Sequence, residues 1–198
     1  KQDSANLPKD VKSALYPSIK LEMTVLNPKT MLVRHKRTYE IVNISDKPIS
    51  EISHGIATDV EKNTLDDLKV RIYDENNKDL EISKITMNYP YQKEFFTKFN
   101  TTILPNEKGH SYTIEYEVEE PERFFENAFL TDCHNFEILF GYPADSQIKQ
   151  VDIYEINQEK EEKIKSQISP VKESTGKNLV VRWAKKDIAK GQTIRIEW

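Results

Sequence analysis

Apolar and polar residues alternate with a period of two along most of this chain, the pattern of strands that bury one face and expose the other. Ile19, Leu21, Met23 and Val25 alternate with Lys20, Glu22 and Thr24, and Tyr112, Ile114, Tyr116 and Val118 alternate with Thr113, Glu115 and Glu117. The same rhythm runs through Phe136, Ile138 and Phe140, through Val151 and Ile153, through Leu179, Val181 and Trp183, and through Ile194, Ile196 and Trp198. Two further stretches, Met31 to Ile44 and Phe95 to Leu104, are rich in Val, Ile, Thr and aromatic residues and read as long strands.

Turn chemistry punctuates these runs. Asn27-Pro28-Lys29 turns the chain after the first, and Asn43-Ile44-Ser45-Asp46-Lys47-Pro48 stops the second, because proline cannot donate to a sheet ladder. Leu68, Val70 and Ile72 are separated from Leu80 and Ile82 by Asp74-Glu75-Asn76-Asn77-Lys78-Asp79, which predicts a hairpin across an Asn-rich turn. Between Arg123 and Phe129 the apolar residues fall at i, i+1, i+4 and i+5, the expectation being a short helix or an irregular crossover. Gln158 to Lys163 is too charged for a core and reads as a solvated hairpin end.

Many short strands without long helical patterns give an all-β fold class, an antiparallel β-sandwich. Lys108-Gly109 leads into Thr113 to Tyr116 much as Lys190-Gly191 leads into Thr193 to Trp198, so two tandem modules that close alike are expected. The expected organisation is a leader or linker at 1–17, an immunoglobulin-like sandwich at 18–120 and a second, smaller sandwich at 121–198. The phrase Tyr39-Glu40-Ile41-Val42-Asn43-Ile44-Ser45-Asp46-Lys47-Pro48-Ile49, followed by Leu104-Pro105-Asn106-Glu107-Lys108-Gly109, resembles immunoglobulin-like and fibronectin-like accessory domains over about 19–118. Pro105 and Gly109, adjacent in that pattern, stand apart here. The resemblance implies a superfold and an accessory role, and it assigns no catalytic residue.

With 198 residues, the chain has room for one large sandwich or two modules. Nine Tyr, eight Phe and two Trp supply a core although 31% of residues are charged. The net charge is -4 with both signs interspersed, which argues against a nucleic-acid partner. No apolar run reaches the roughly 20 residues that a membrane-spanning helix needs, so no membrane insertion of this segment is expected. Cys133 is the only cysteine, which excludes an internal disulfide and leaves localisation unassigned.

Thr131-Asp132-Cys133-His134-Asn135 places a thiol next to an imidazole, but neighbours on a strand point to opposite faces, and zinc would need further ligands. Ser53-His54-Gly55 with Asp59 holds the residue types of a hydrolase triad in consecutive positions, whereas triad members meet across a fold. The five glycines form no phosphate-cradling loop. Acid pairs such as Asp66-Asp67, Glu119-Glu120 and Glu161-Glu162 read as solvated faces, and no calcium loop is present. No metal and no cofactor is therefore expected.

Aromatic residues beside prolines, Tyr89-Pro90-Tyr91 and Gly141-Tyr142-Pro143, have the chemistry of interface anchors. The expected function is a non-enzymatic recognition or accessory module of a larger protein, binding a protein partner or neighbouring domain through loops or a sheet edge. Its candidate contact residues are Tyr89, Tyr91, Tyr142, His54 and His134. Two alternatives stand beside it: an enzyme with a dispersed site around His54, Cys133 and His134, and a structural spacer of a surface or secreted protein.

Overall fold

A computed structural model describes residues 14–157, 160 and 162–198. In chain order its strands are β1 (Ala14–Leu15), β2 (Ser18–Asn27), β3 (Leu32–Asn43), β4 (Ile49–Ala57), β5 (Arg71–Asp74), β6 (Glu81–Tyr89), β7 (Gln92–Ile103), β8 (His110–Glu119), β9 (Phe124–Ala128), β10 (Cys133–Pro143), β11 (Asp152–Asn157), β12 (Glu162–Lys165), β13 (Val171–Thr175), β14 (Asn178–Ile188) and β15 (Gln192–Glu197). Among the described residues the helical structure is a single 3-10 turn at Asp66–Leu68.

The strands form one large sheet and two small ones. The large sheet runs β13-β14-β10-β2-β3-β8-β5, with β1 paired to β3; the small sheets run β12-β11-β15-β9 and β4-β7-β6. Among the described residues the strand pairings are antiparallel except β2 with β10, which run parallel from Ser18–Thr24 against Asn135–Gly141. Position 120/121 divides the strands cleanly: 18–120 holds β2 to β8 with the three-stranded sheet, and 121–198 holds β9 to β15 with the four-stranded sheet. The two predicted segments therefore share the large sheet through β2 and β10. Gly109 and Gly191, at φ +87° and +85°, turn the chain into β8 and β15 by the same left-handed step, so the repeated Lys-Gly phrase has a common local geometry.

Both small sheets lie on the same face of the large one. Ile19, Leu21 and Met23 of β2 stand opposite Phe136, Ile138 and Phe140 of β10, and opposite Tyr39, Arg37 and His35 of β3. The β3 residues in turn face Tyr112, Ile114 and Tyr116 of β8, so the whole set shares one side. Tyr112 meets His54 and Phe99 from the three-stranded sheet, while His35 meets Phe125 from the four-stranded one. At the seam between the small sheets the inward side chains of β3 are His35 and Arg37. His35 stacks on Tyr116 and shares a 2.9 Å hydrogen bond with Glu120; Arg37 donates to the Tyr116 hydroxyl at 2.8 Å and lies over the Phe125 ring. Both are buried, as the parity of Val33, Tyr39 and Ile41 requires.

Several expectations are corrected. Phe124–Ala128 is a strand, β9, and neither a helix nor an irregular crossover. It carries no period of two because both its faces are covered: Phe125 lies in the core, while Glu126 pairs with Arg195, whose guanidinium sits on Phe124. The turn at 74–79 forms, with Asp74 accepting from the Asn76 and Lys78 amides and Asn77 in the left-handed region. Its two arms then part, β5 pairing with β8 and β6 with β7, and one bridge, Tyr73 to Asp79, remains of the hairpin. Of the 1–17 segment, residues 1–13 lie outside the described residues, but Ala14 and Leu15 pair with β3, and Ala14 and Tyr16 are buried in the core. Glu162–Lys165 pairs with β11 as the far arm of a hairpin, whose end at 158, 159 and 161 lies outside the described residues.

Candidate interaction surface

The five candidate contact residues do not come together. Tyr142 stands on β10 between Phe140 and Pro143, with its side chain turned into the core and buried; it is not on an exposed loop. Inward parity with Phe136, Ile138 and Phe140 fixes that orientation. His54 is also buried, packed against Phe95 and Tyr112, and burial alone lowers its pKa to about 3, so it is a neutral core residue. Its neighbour Ser53 points to the other face of β4. His134 is exposed and pairs with Asp187 at 3.3 Å, while the adjacent Cys133 is buried with its thiol pushed up to about 11. A thiol so protonated is a poor nucleophile at neutral pH. No group of three or more His, Cys, Asp or Glu able to hold a metal occurs among the described residues.

Tyr89 and Tyr91 are brought together. They flank Pro90 at the tip of the β6–β7 hairpin and are 65% and 53% exposed. The tip is held from behind. Thr58 N donates to Tyr91 O at 3.0 Å and Lys62 N to Pro90 O at 2.8 Å. Lys93, on the inward face of β7 with Phe95 and Thr97, is fully buried; its ammonium donates to Lys62 O at 2.6 Å and to Tyr89 O. Burial lowers the pKa of Lys93, the cost of holding a cation among backbone carbonyls. The shared parity of Lys93, Phe95 and Thr97 signals the inward lysine in the sequence, but nothing there reveals what it holds.

Further along β6 two isoleucines are left uncovered. Ile82 and Ile85 of β6 stand opposite Thr97 and Phe95 of β7, so they lie on the core-facing side of the sheet. Thr97 and Phe95 are buried, yet Ile82 and Ile85 are 36% and 51% exposed: β6 overhangs the edge of the large sheet. The pairing of β6 with β7 slips between Ile82 and Lys84 and again between Ile85 and Met87. Each slip leaves an extra hydroxyl residue, Ser83 or Thr86, whose side chain donates to a β7 carbonyl, Phe96 O or Glu94 O. Away from this edge, the outer face of the large sheet is polar, with shallow open depressions beside Lys20, Ser18 and Asn135 and cross-strand pairs such as Lys36–Glu22 at 3.4 Å.

These features define an all-β fold with one sheet edge that leaves Ile82, Ile85 and Tyr89 exposed. No protein-family model matches the chain, and no curated protein matches it. Solved structures match in fold. A two-domain M1 zinc metallopeptidase crystallised with L-tryptophan is similar at a TM-score of 0.57 and 7% identity, over 94% of this chain and 43% of that one. An M1 zinc metallopeptidase from Deinococcus radiodurans gives 0.57 and 7% over 93% and 42%, and leukotriene A4 hydrolase from Saccharomyces cerevisiae gives 0.53 and 9% over 98% and 30%. At such identities the likeness is one of fold, and this chain spans less than half the length of each. The immunoglobulin-like resemblance is upheld as far as a β-sandwich.

Proposed function

We propose that this chain is a non-enzymatic accessory domain of a larger protein and that it meets protein surfaces through the β6 edge and the Tyr89–Tyr91 tip. The observation that carries the reading is the fold likeness: nearly the whole chain corresponds to 43% of a two-domain metallopeptidase. A larger protein of that peptidase type is the first parent to look for. The scattered placement of the candidate catalytic groups supports the same reading. His54 is a neutral core residue, Cys133 is buried and protonated, and His134 sits at the surface beside Asp187.

The test is to incubate the purified chain with peptide, ester, phosphate and glycoside substrates, with and without added zinc. No turnover above the buffer background is expected. Sustained turnover that a substitution at His54, Cys133 or His134 abolishes would overturn the reading in favour of a dispersed catalytic site.

A further inference from the structure

We infer that the His35–Glu120 contact is an acid-sensitive latch on the seam between the two small sheets: with a neutral imidazole it holds the 120–123 link and β9 against β3, and with a protonated one it lets them go. The latch does not depend on the accessory-domain reading.

The seam has no ladder of its own. Among the described residues no strand of the three-stranded sheet pairs with one of the four-stranded sheet, and β9, an edge strand, pairs only with β15. From the first half β9 is reached through the link at 120–123, where Glu120 N donates to Met31 O at 2.9 Å, Arg123 N to Glu120 O at 3.0 Å and Trp198 N to Arg123 O at 3.0 Å. Met31 and Arg123 are non-glycine residues at φ +53° and +56°. Backbone strain of this kind persists only where surrounding contacts impose it. The link is therefore poised to relax.

His35 holds the first residue of that link. Its ring is wholly buried, with Nε2 2.9 Å from Glu120 Oε1, and lies flat on Tyr116 at 5.0 Å, with Phe125 of β9 also 5.0 Å away. A carboxylate only accepts, so the neutral ring carries its proton on Nε2. Nδ1 is buried with no hydrogen-bond partner.

The groups around the ring are Met23 on β2, Tyr116 on β8, Glu120 on the link, Phe125 on β9 and Arg37 two residues along β3. Arg37 and Glu120 supply one charge of each sign. A protonated ring would be a second cation beside Arg37, with its new Nδ1–H facing no acceptor, so the closed seam disfavours it; burial and Arg37 accordingly keep the His35 pKa well below its usual value. An opening that wets the ring carries no such penalty. Below about pH 6.5, where a solvated imidazole gains its proton, acid favours the open seam by up to ~tenfold per pH unit.

The experiment is amide exchange by NMR on the 198-residue chain at pH 7.5 and pH 5, each rate divided by that of an unstructured peptide. The Glu120, Arg123 and Trp198 amides should exchange faster than those of β10 and β14 at both pH values, and their opening should rise about 30-fold between the two. His35→Phe keeps a ring against Tyr116 and Phe125 and should hold that rise below ~threefold, because the titrating group is gone. Glu120→Gln keeps an acceptor for the Nε2 proton and should retain the rise. Ring nitrogen shifts, a readout that needs no variant, should show His35 neutral and protonated on Nε2 in the folded chain at pH 5. A cationic ring in the folded chain at pH 5, a rise that survives His35→Phe or vanishes in Glu120→Gln, or seam amides that open only together with β10 and β14 would overturn the latch.

Discussion

The two halves of the chain build similar structures and finish them differently. Residues 18–120 contribute β2, β3, β5 and β8 to the large sheet and add the small sheet of β4, β7 and β6; residues 121–198 contribute β10, β13 and β14 and add the small sheet of β9, β15, β11 and β12. Each small sheet has one largely exposed edge strand. In the second half that strand is β12, four residues long, with Ile164 between two lysines. Lys163 reaches Glu197 at 2.5 Å and lies over the Tyr154 ring, and Lys165 reaches Asp152 at 2.7 Å. In the first half it is β6, nine residues long, with Ile82, Ile85 and Tyr89 uncovered. A short, charged, ion-paired edge is one way for a sheet to meet water, whereas β6 is longer, sets two uncovered isoleucines among polar residues and has its ladder interrupted twice. The same fold thus protects its two margins by different means.

The largest effect is expected from cutting the halves apart. Separate expression of 18–120 and 121–198 would strip β2 of its parallel partner β10 and would uncover Met23, His35 and Arg37, which lie opposite or beneath Phe140 and Phe125. Neither fragment should show a cooperative thermal transition by circular dichroism, a loss of the whole folding free energy of about 5–15 kcal/mol. Mixing them should restore a non-covalent complex. A cooperative melt from either fragment alone would make the halves independent modules.

A smaller effect sharpens the contrast within the first half. Phe95 and Ile85 are opposite residues on neighbouring strands, one fully buried and the other half-exposed. Phe95→Ala should cost about 3–5 kcal/mol by urea unfolding, and Ile85→Ala only about 0.5 kcal/mol. If Ile85→Ala cost ~2 kcal/mol or more, the overhang would belong to the domain's own core, and the difference between the two edges would be lost.

Much of this was legible in the alternation of residues. It marks β2, β8, β10 and β15 and their inward faces; the burial of Arg37 and Lys93 was not foreseen, although each shares parity with aromatic neighbours. It does not tell whether an inward face is covered. Ile82 and Ile85 read like any core residues, and Tyr142 reads like Tyr89, because periodicity records the side of a strand and not what lies over it. Strand β9 escaped because burial on both faces erases the alternation. The β2–β10 pairing escaped for another reason: it joins residues more than 100 positions apart and leaves no local trace. The exposure of Tyr89 and Tyr91 was therefore readable, and that of Ile82 and Ile85 was not.

The smallest effect concerns acid and again divides the halves. Both buried histidines, His35 and His54, belong to the first half, whereas His134 of the second half is exposed. Burial lowers His54 to about 3, and burial together with Arg37 holds His35 well below its usual value, with Glu120 beside its Nε2. The unfolded chain, whose histidines titrate near ~6.5, binds more protons than the native one below that pH. Stability is then full above about pH 6.5 and falls as the pH drops, by up to about 1.4 kcal/mol per unit for each histidine. Between pH 7 and 5 most carboxylates remain ionised, so this window reports on the histidines. His54→Phe keeps a ring against Phe95 and Tyr112 and removes Nε2, a buried atom with no hydrogen-bond partner. Urea midpoints of the variant measured from pH 7 to 5 should therefore fall less steeply than those of the parent, and amide exchange in the parent at pH 5 should rise in β3 and β4 before β10 and β14. An unchanged slope would mean that the His54 ring takes up its proton in the folded state and contributes nothing to the acid response of the first half.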